Sequence, residues 1–194
     1  MSNAQPYTEE DFSKRFPNED KDIKEMLGLG YVPKLFRTAI AVNPSLAATS
    51  WQMVRAILCT GELSRALKEM IFVVVANARD CQYCSIAHQA MALKYGLEYG
   101  VNQQLTRDLE QIQPDSTREI LKFAVCLAQG KGSYGEATDK MLKRGVDQED
   151  IPEIIAMISC ANYMTTLADG LMVAPDEHFY ELIEDAKKNA VVPS

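Results

Sequence analysis

The chain is 194 residues long, 47% hydrophobic and 24% charged, with a formal net charge of −7 and a sequence pI near 4.9. That composition is globular with room for one sizeable core, and the acidic balance leaves no basic stripe to neutralise a nucleic-acid backbone. No run approaches membrane-spanning length and the N-terminus lacks a basic-then-apolar leader pattern, so no membrane partner is expected and the cytoplasm is the default location. Five cysteines, an odd number, beside an ordinary core do not read as a disulfide framework.

Ser2-Asn3-Ala4 reads as the remnant of a cloning tag, and residues 1–18 as a polar, Pro-punctuated arm lying on the body or on a neighbour. Residues 20–27 predict a short helix ended by Gly28, and Pro33 opens another through Ala41. Asn43-Pro44 is a strong helix start, with Asn as N-cap and Pro at the first helical position; that helix reaches Cys59 and stops at Gly61. Ser64 caps the next. Its β-branched run, Ile71 and Val73 to Val75, could read as a strand, but residues 65–78 contain no Gly or Pro and open with strong helix formers. One buried helix of three to four turns is therefore predicted. Asp80 is the expected N-cap of a cysteine-bearing helix that Gly96 stops.

Further helices are predicted over 102–111, 116–129 and 136–143. Asp147 with Asp150 then resembles a capping box opening a long apolar helix to Gly170, and Pro175 starts a last helix that frays after Lys188. The segments 43–96 and 116–170 echo one another weakly, each including one long apolar helix. No alternating strand pair is present, so the predicted fold is all-α: a compact multi-helix bundle forming a single domain over 19–188, with a tail at 189–194.

The chemistry concentrates between Glu69 and His88. Glu69 shares a helix face with Phe72, Val73 and Ala76, so its carboxyl should be buried and its pKa raised unless it is paired. Cys81, Cys84 and His88 fall at roughly 0°, −60° and −20° around a helix axis, on one narrow face. Helix-start geometry favours thiolate there, most of all at Cys81. A carboxylate, a Cys-x-x-Cys pair and a histidine four residues on can divide the work of nucleophile, second thiol and proton carrier.

Glu69, the apolar helix, Cys81-x-x-Cys84, His88 and the Gly96 stop together resemble the alkylhydroperoxidase D-like branch of the carboxymuconolactone decarboxylase family. Asn43-Pro44, 61–64, Asn162-Tyr163 and 167–169 fit the same pattern, the last two resembling the peroxidase-related members, over roughly residues 20–180. The resemblance implies an all-helical fold assembling into dimers, trimers or hexamers. It also implies thiol peroxidase or disulfide reductase activity without a bound cofactor. It makes Cys84 the peroxidatic residue and Cys81 the resolving one. A thiolate attacks the peroxide O–O bond, the sulfenic acid condenses with its neighbour, and an external dithiol or redox protein reduces the disulfide. His88 takes the thiol proton and Glu69 orients or relays it. In the best-known member a histidine directly precedes the second cysteine; here Tyr83 stands there, lining or covering the site, and the relay must run through Glu69 and His88 alone.

Other readings compete. Cys-x-x-Cys with His88 has zinc-ligand spacing and would need Glu69 or His178 as the fourth ligand. A non-catalytic helical subunit would leave the thiols inert, and a decarboxylase-like enzyme would not need the pair. His178 reads as a solvated helix residue, and Cys59, Cys126 and Cys160 as small core residues.

Overall fold

A computed structural model describes residues 5–191; the tag-like 1–4 and the last three tail positions lie outside the described residues. The elements are α1 (Glu9–Arg15), α2 (Pro17–Leu27), α3 (Lys34–Val42), α4 (Pro44–Leu58), α5 (Arg65–Ala78), α6 (Gln82–Lys94), α7 (Tyr99–Arg107), α8 (Asp115–Gln129), α9 (Tyr134–Lys143), α10 (Ile151–Gly170) and α11 (Glu177–Val191). Two short 3-10 turns precede α8 and α10, and there is no strand among the described residues. The all-α expectation holds. No helix among the described residues is long and apolar enough to cross a membrane.

The bundle is built around α5, which packs most extensively on α6 and also on α10 and α8. Every residue from Lys68 to Ala76 is buried. The β-branched run is helical because burial outweighs propensity. Burying Ile71, Phe72 and Val73 to Val75 is favourable by on the order of 10 kcal/mol, whereas their helix-propensity deficit is about 0.5 kcal/mol each. Ser64 starts the helix as predicted, its hydroxyl accepting from the Leu67 N–H at 3.3 Å. Asn43 likewise caps α4, accepting from Leu46 N–H at 3.2 Å.

Several boundaries differ from the sequence reading. Within the presumed arm, α1 buries Phe12 completely in the common core. A lone phenylalanine in a seven-residue helix of otherwise polar residues has no amphipathic signal long enough to read. The 102–111 helix begins at Tyr99, ends at Arg107 and passes into a 3-10 turn. Asp147 and Asp150 make no side-chain cap, because a 3-10 turn over Gln148–Asp150 leads directly into α10. The last helix opens at Glu177 rather than at Pro175.

Asp80 is not the cap of α6. It sits in left-handed backbone at φ 55°, closing the α5 to α6 turn with its N–H on Asn77 O, and Cys81 is the N-cap residue. Aspartate is among the few residues that tolerate this conformation. The tight reversal lays α6 back along α5 and brings Glu69 opposite His88.

A second clamp fixes the approach to α5. Lys68 is buried, and its ammonium donates to Ile57 O (2.8 Å) and Thr60 O and pairs with Glu153 of α10. Glu153 Oε2 in turn accepts from the N–H groups of Glu62 (3.0 Å) and Leu63 (3.3 Å). The loop passes so close that a Cβ on Gly61, at φ 103°, would collide with the Glu153 carboxylate. Glu153 thus ties α10 to the loop before α5.

Candidate active site

Glu69 projects from the second turn of α5 and is 0% exposed. Its two oxygens have different partners: Oε1 accepts from Arg65 Nε at 2.6 Å, one turn earlier, and Oε2 meets His88 Nδ1 at 2.5 Å. Burial pushes the carboxyl up, but His88 and Arg65 pull it down further, so it stays below the ordinary glutamate range. Pairing thus decides the question the sequence left open. With Nδ1 held by a carboxylate, the free ring nitrogen of His88 is Nε2. The imidazole is stacked on Phe72, centroids 3.4 Å apart and planes 11° from parallel, which fixes the ring plane as well.

The cysteines lie at the start of α6 and form no disulfide. Cys81, in extended rather than helical backbone, turns its thiol toward α10 and donates to Thr165 O at 3.7 Å. Cys84, in the first turn and 1% exposed, lines a cavity of about 50 Å³ together with Arg65, Glu69, Phe72, Tyr83 and His88. Met91, Met164 and leucines from α2, α3 and α4 complete an apolar wall. Cys84 and His88, four residues apart, share one helix face, whereas Cys81 stands outside the cavity lining.

Helix-start geometry does not acidify Cys84. Its thiol is pushed well above the ordinary range, first by its hydrogen bond with Cys81 and then by burial. A buried first-turn position removes the solvent that would otherwise stabilise a thiolate. A base is therefore needed to make one.

Tyr83, between the cysteines, lines the cavity, and its hydroxyl is held by two partners. The hydroxyl accepts from Leu35 N–H and donates to Asp176 Oδ2, both at 3.2 Å. Asp176, buried before α11, also accepts from the Lys34 N–H at 3.1 Å, and its carboxyl is raised by burial. Tyr83 thus fastens α6 to α3 and to the approach of α11 over the site. Sequence reading missed Asp176 and Arg65; Arg65, four residues before Glu69 on a predicted helix, carried the signal that could have found it.

Glu69 and His88 are committed to one another, and among the described residues no cluster of three or more His, Cys, Asp and Glu could hold a metal. His178 is half-exposed, set edge-on against Tyr31 and paired with Glu181 at 3.1 Å, away from the cysteines. Cys160 is buried, whereas Cys59 and Cys126 are half-buried.

Residues 44–98, which hold α4, α5 and α6, match the sequence model of the carboxymuconolactone decarboxylase family. The likeness to that family is confined to this segment of the chain. All four residues of the Glu/Cys-x-x-Cys/His set lie within it.

Solved structures share the whole fold. One, titled alkylhydroperoxidase AhpD core, an uncharacterized peroxidase-related protein from Ralstonia eutropha JMP134, is 20% identical with a TM-score of 0.76, covering 100% of both chains. An uncharacterized peroxidase-related protein from Silicibacter sp. TM1040 is 20% identical, covering 94% of each chain, with a TM-score of 0.76. The debrominase Bmp8, solved as a cysteine-to-alanine variant in complex with 2,3,4-tribromopyrrole, is 16% identical with a TM-score of 0.80, covering 96% of this chain and 98% of that one. At these identities the likeness is one of fold, and the named activities vary within it. No curated protein sequence matches the chain.

Proposed function

We propose that the protein is a thiol-dependent peroxidase and disulfide oxidoreductase, with Cys84 as the nucleophile, Cys81 as the resolving thiol, and Glu69 with His88 as the proton relay. The observation that carries this reading is Cys84 lining the same cavity as the Glu69–His88 pair, with Cys81 adjacent but outside it. His88 Nε2 takes the Cys84 proton, and buried Glu69 stabilises the imidazolium that results. The thiolate attacks one oxygen of a hydroperoxide ROOH, the O–O bond breaks, and Cys84 becomes a sulfenic acid. The departing RO⁻ receives the proton from His88 and leaves as ROH. The Cys81 thiol then displaces water from the sulfenic acid to give the Cys81–Cys84 disulfide, which an external dithiol returns to two thiols. No cofactor is required by this chemistry.

Cavity size favours a small oxidant. A cavity needs about 10–15 Å³ of such space to hold one water, and a benzene-binding cavity is about 150 Å³, so a space of about 50 Å³ suits hydrogen peroxide or a short alkyl hydroperoxide. Exposed Ile155 and Tyr163 on α10, with Leu46 on α4, support assembly into a homo-oligomer. The test is peroxide consumption with a small dithiol, wild type beside Cys84→Ser. Turnover confined to the wild type is expected; equal turnover in both would remove Cys84 from its role.

A further inference from the structure

Three phenylalanines line the cavity that holds Cys84, and two of them are committed elsewhere. Phe72 is stacked on the His88 ring, centroids 3.4 Å apart, and Phe36 sits edge-on against Trp51 at 5.4 Å. The third, Phe179, is the one residue that α11 gives to the cavity lining. Among the described side chains of α11 it is also the only buried one, at 2% exposed. The helix packs mainly on α6, so α11 is a peripheral cover whose single buried side chain is a piece of cavity wall. The Phe179 ring meets the Tyr83 ring edge-on at 6.4 Å, and Tyr83 immediately precedes Cys84. The start of the cover is pinned. The Asp176 carboxylate accepts from the Lys34 N–H at 3.1 Å and the Tyr83 hydroxyl at 3.2 Å, and its backbone carbonyl accepts from the Phe179 N–H at 3.1 Å. One chain of contacts therefore runs from the Cys-x-x-Cys turn to this wall.

We propose that Phe179 is the specificity-determining residue of this site, closing the cavity to hydroperoxides that carry a bulky substituent. This assignment rests on the peroxidase reading. The attack written above needs the O–O bond between Cys84 and His88, so the substituent R must fit in whatever volume remains. That volume is small: the whole cavity is about 50 Å³, whereas a cavity that takes a benzene ring is about 150 Å³. A phenyl-bearing hydroperoxide is therefore shut out, and a hydrogen or a short alkyl group is admitted. Most of the other walls belong to helices that make the central core, and the His88 plane depends on Phe72. Phe179 is the wall that can change without disturbing either. Truncating it leaves a space of the order of the lost ring, because a packed interior relaxes only partly around a deleted side chain.

A merely structural Phe179 would affect all peroxides alike, so two of different size separate the possibilities. Hydrogen peroxide and cumene hydroperoxide are each consumed with a small dithiol by wild type, Phe179→Ala and Phe179→Leu, and kcat/KM is measured for both. Phe179→Leu keeps a large apolar side chain in place and serves if Phe179→Ala does not fold. The wild type is expected to prefer hydrogen peroxide. In Phe179→Ala the ratio of cumene hydroperoxide to hydrogen peroxide kcat/KM should rise at least about tenfold, since one misfitting methylene in an apolar pocket already discriminates by about 10–200-fold. Phe179→Leu should move the ratio in the same direction by less. A ratio unchanged in both variants, whether or not the two rates fall together, overturns the assignment. A wild type that consumes cumene hydroperoxide as well as hydrogen peroxide also overturns it, because no bulky substituent is then excluded. A wild type that consumes neither overturns the peroxidase reading, and the role of Phe179 with it.

Discussion

Glu69→Gln is isosteric and removes one charge at the centre of the site. In the folded protein Glu69 is 0% exposed and engaged by Arg65 at 2.6 Å and His88 at 2.5 Å. The variant leaves the Arg65 cation, itself mostly buried, without its carboxylate. Breaking a buried pair by removing one partner costs about 3–5 kcal/mol. A chain of this length loses roughly 2–4 °C of melting temperature per kcal/mol, so a drop of about 6–20 °C at neutral pH is expected. The dependence on pH has a definite sign. The Glu69 pKa is lowered on folding, so its contribution is complete above the unfolded value of about 4.3 and is lost as pH falls through the lower folded value. The gap between wild type and variant should therefore hold from neutrality down to about pH 5 and narrow at lower pH. Calorimetric melts of both proteins across that range measure it, and peroxide oxidation should slow about 10²-fold or more with the relay broken. A variant melting with the wild type at pH 7, or a gap that widens on acidification, would refute the argument that Glu69 is an ionised, paired carboxylate.

Three further outcomes are expected. Lys68→Met should lower stability by about 3 kcal/mol or more, because Glu153 and the carbonyls of Ile57 and Thr60 lose a buried ammonium; an unchanged denaturant midpoint would show the clamp to be idle. Tyr83→Phe should cost about 1 kcal/mol through the lost Asp176 bond yet leave peroxide oxidation near wild type, since the hydroxyl is engaged by Leu35 N–H and Asp176 rather than by Glu69 or His88. A large rate loss without a stability change would place it in the relay. Iodoacetamide labelling of Cys84 should climb about tenfold per pH unit through neutrality with no plateau at the ordinary thiol pKa of about 8.5, because the folded thiol is raised; a plateau near pH 7 would contradict that.

Much of the fold was legible because it is written locally. Ser64 and Asn43 start their helices through short-range hydrogen bonds, and nine consecutive buried positions in α5 could only be accommodated by a central helix. The spacing from Cys81 to His88 likewise sets the angular positions of Cys84 and His88 on α6, because helical periodicity needs no tertiary information.

What only the tertiary structure decided were the contacts between segments distant in sequence. Periodicity put Glu69 on an apolar face, but its ionisation depended on whether His88 folded back to meet it, and Asp80 in left-handed backbone makes that reversal. The two thiols are three residues apart, yet one faces Thr165 of α10 and the other the cavity, a division set by the non-helical backbone at Cys81. Asp176 stands 93 residues from Tyr83, and Glu153 is 91 from the loop it anchors; no local pattern marks either partner. Sequence determines which side chains share a helix face. Packing of helix on helix determines which are buried, paired or left facing a cavity, and ionisation follows from that burial and pairing.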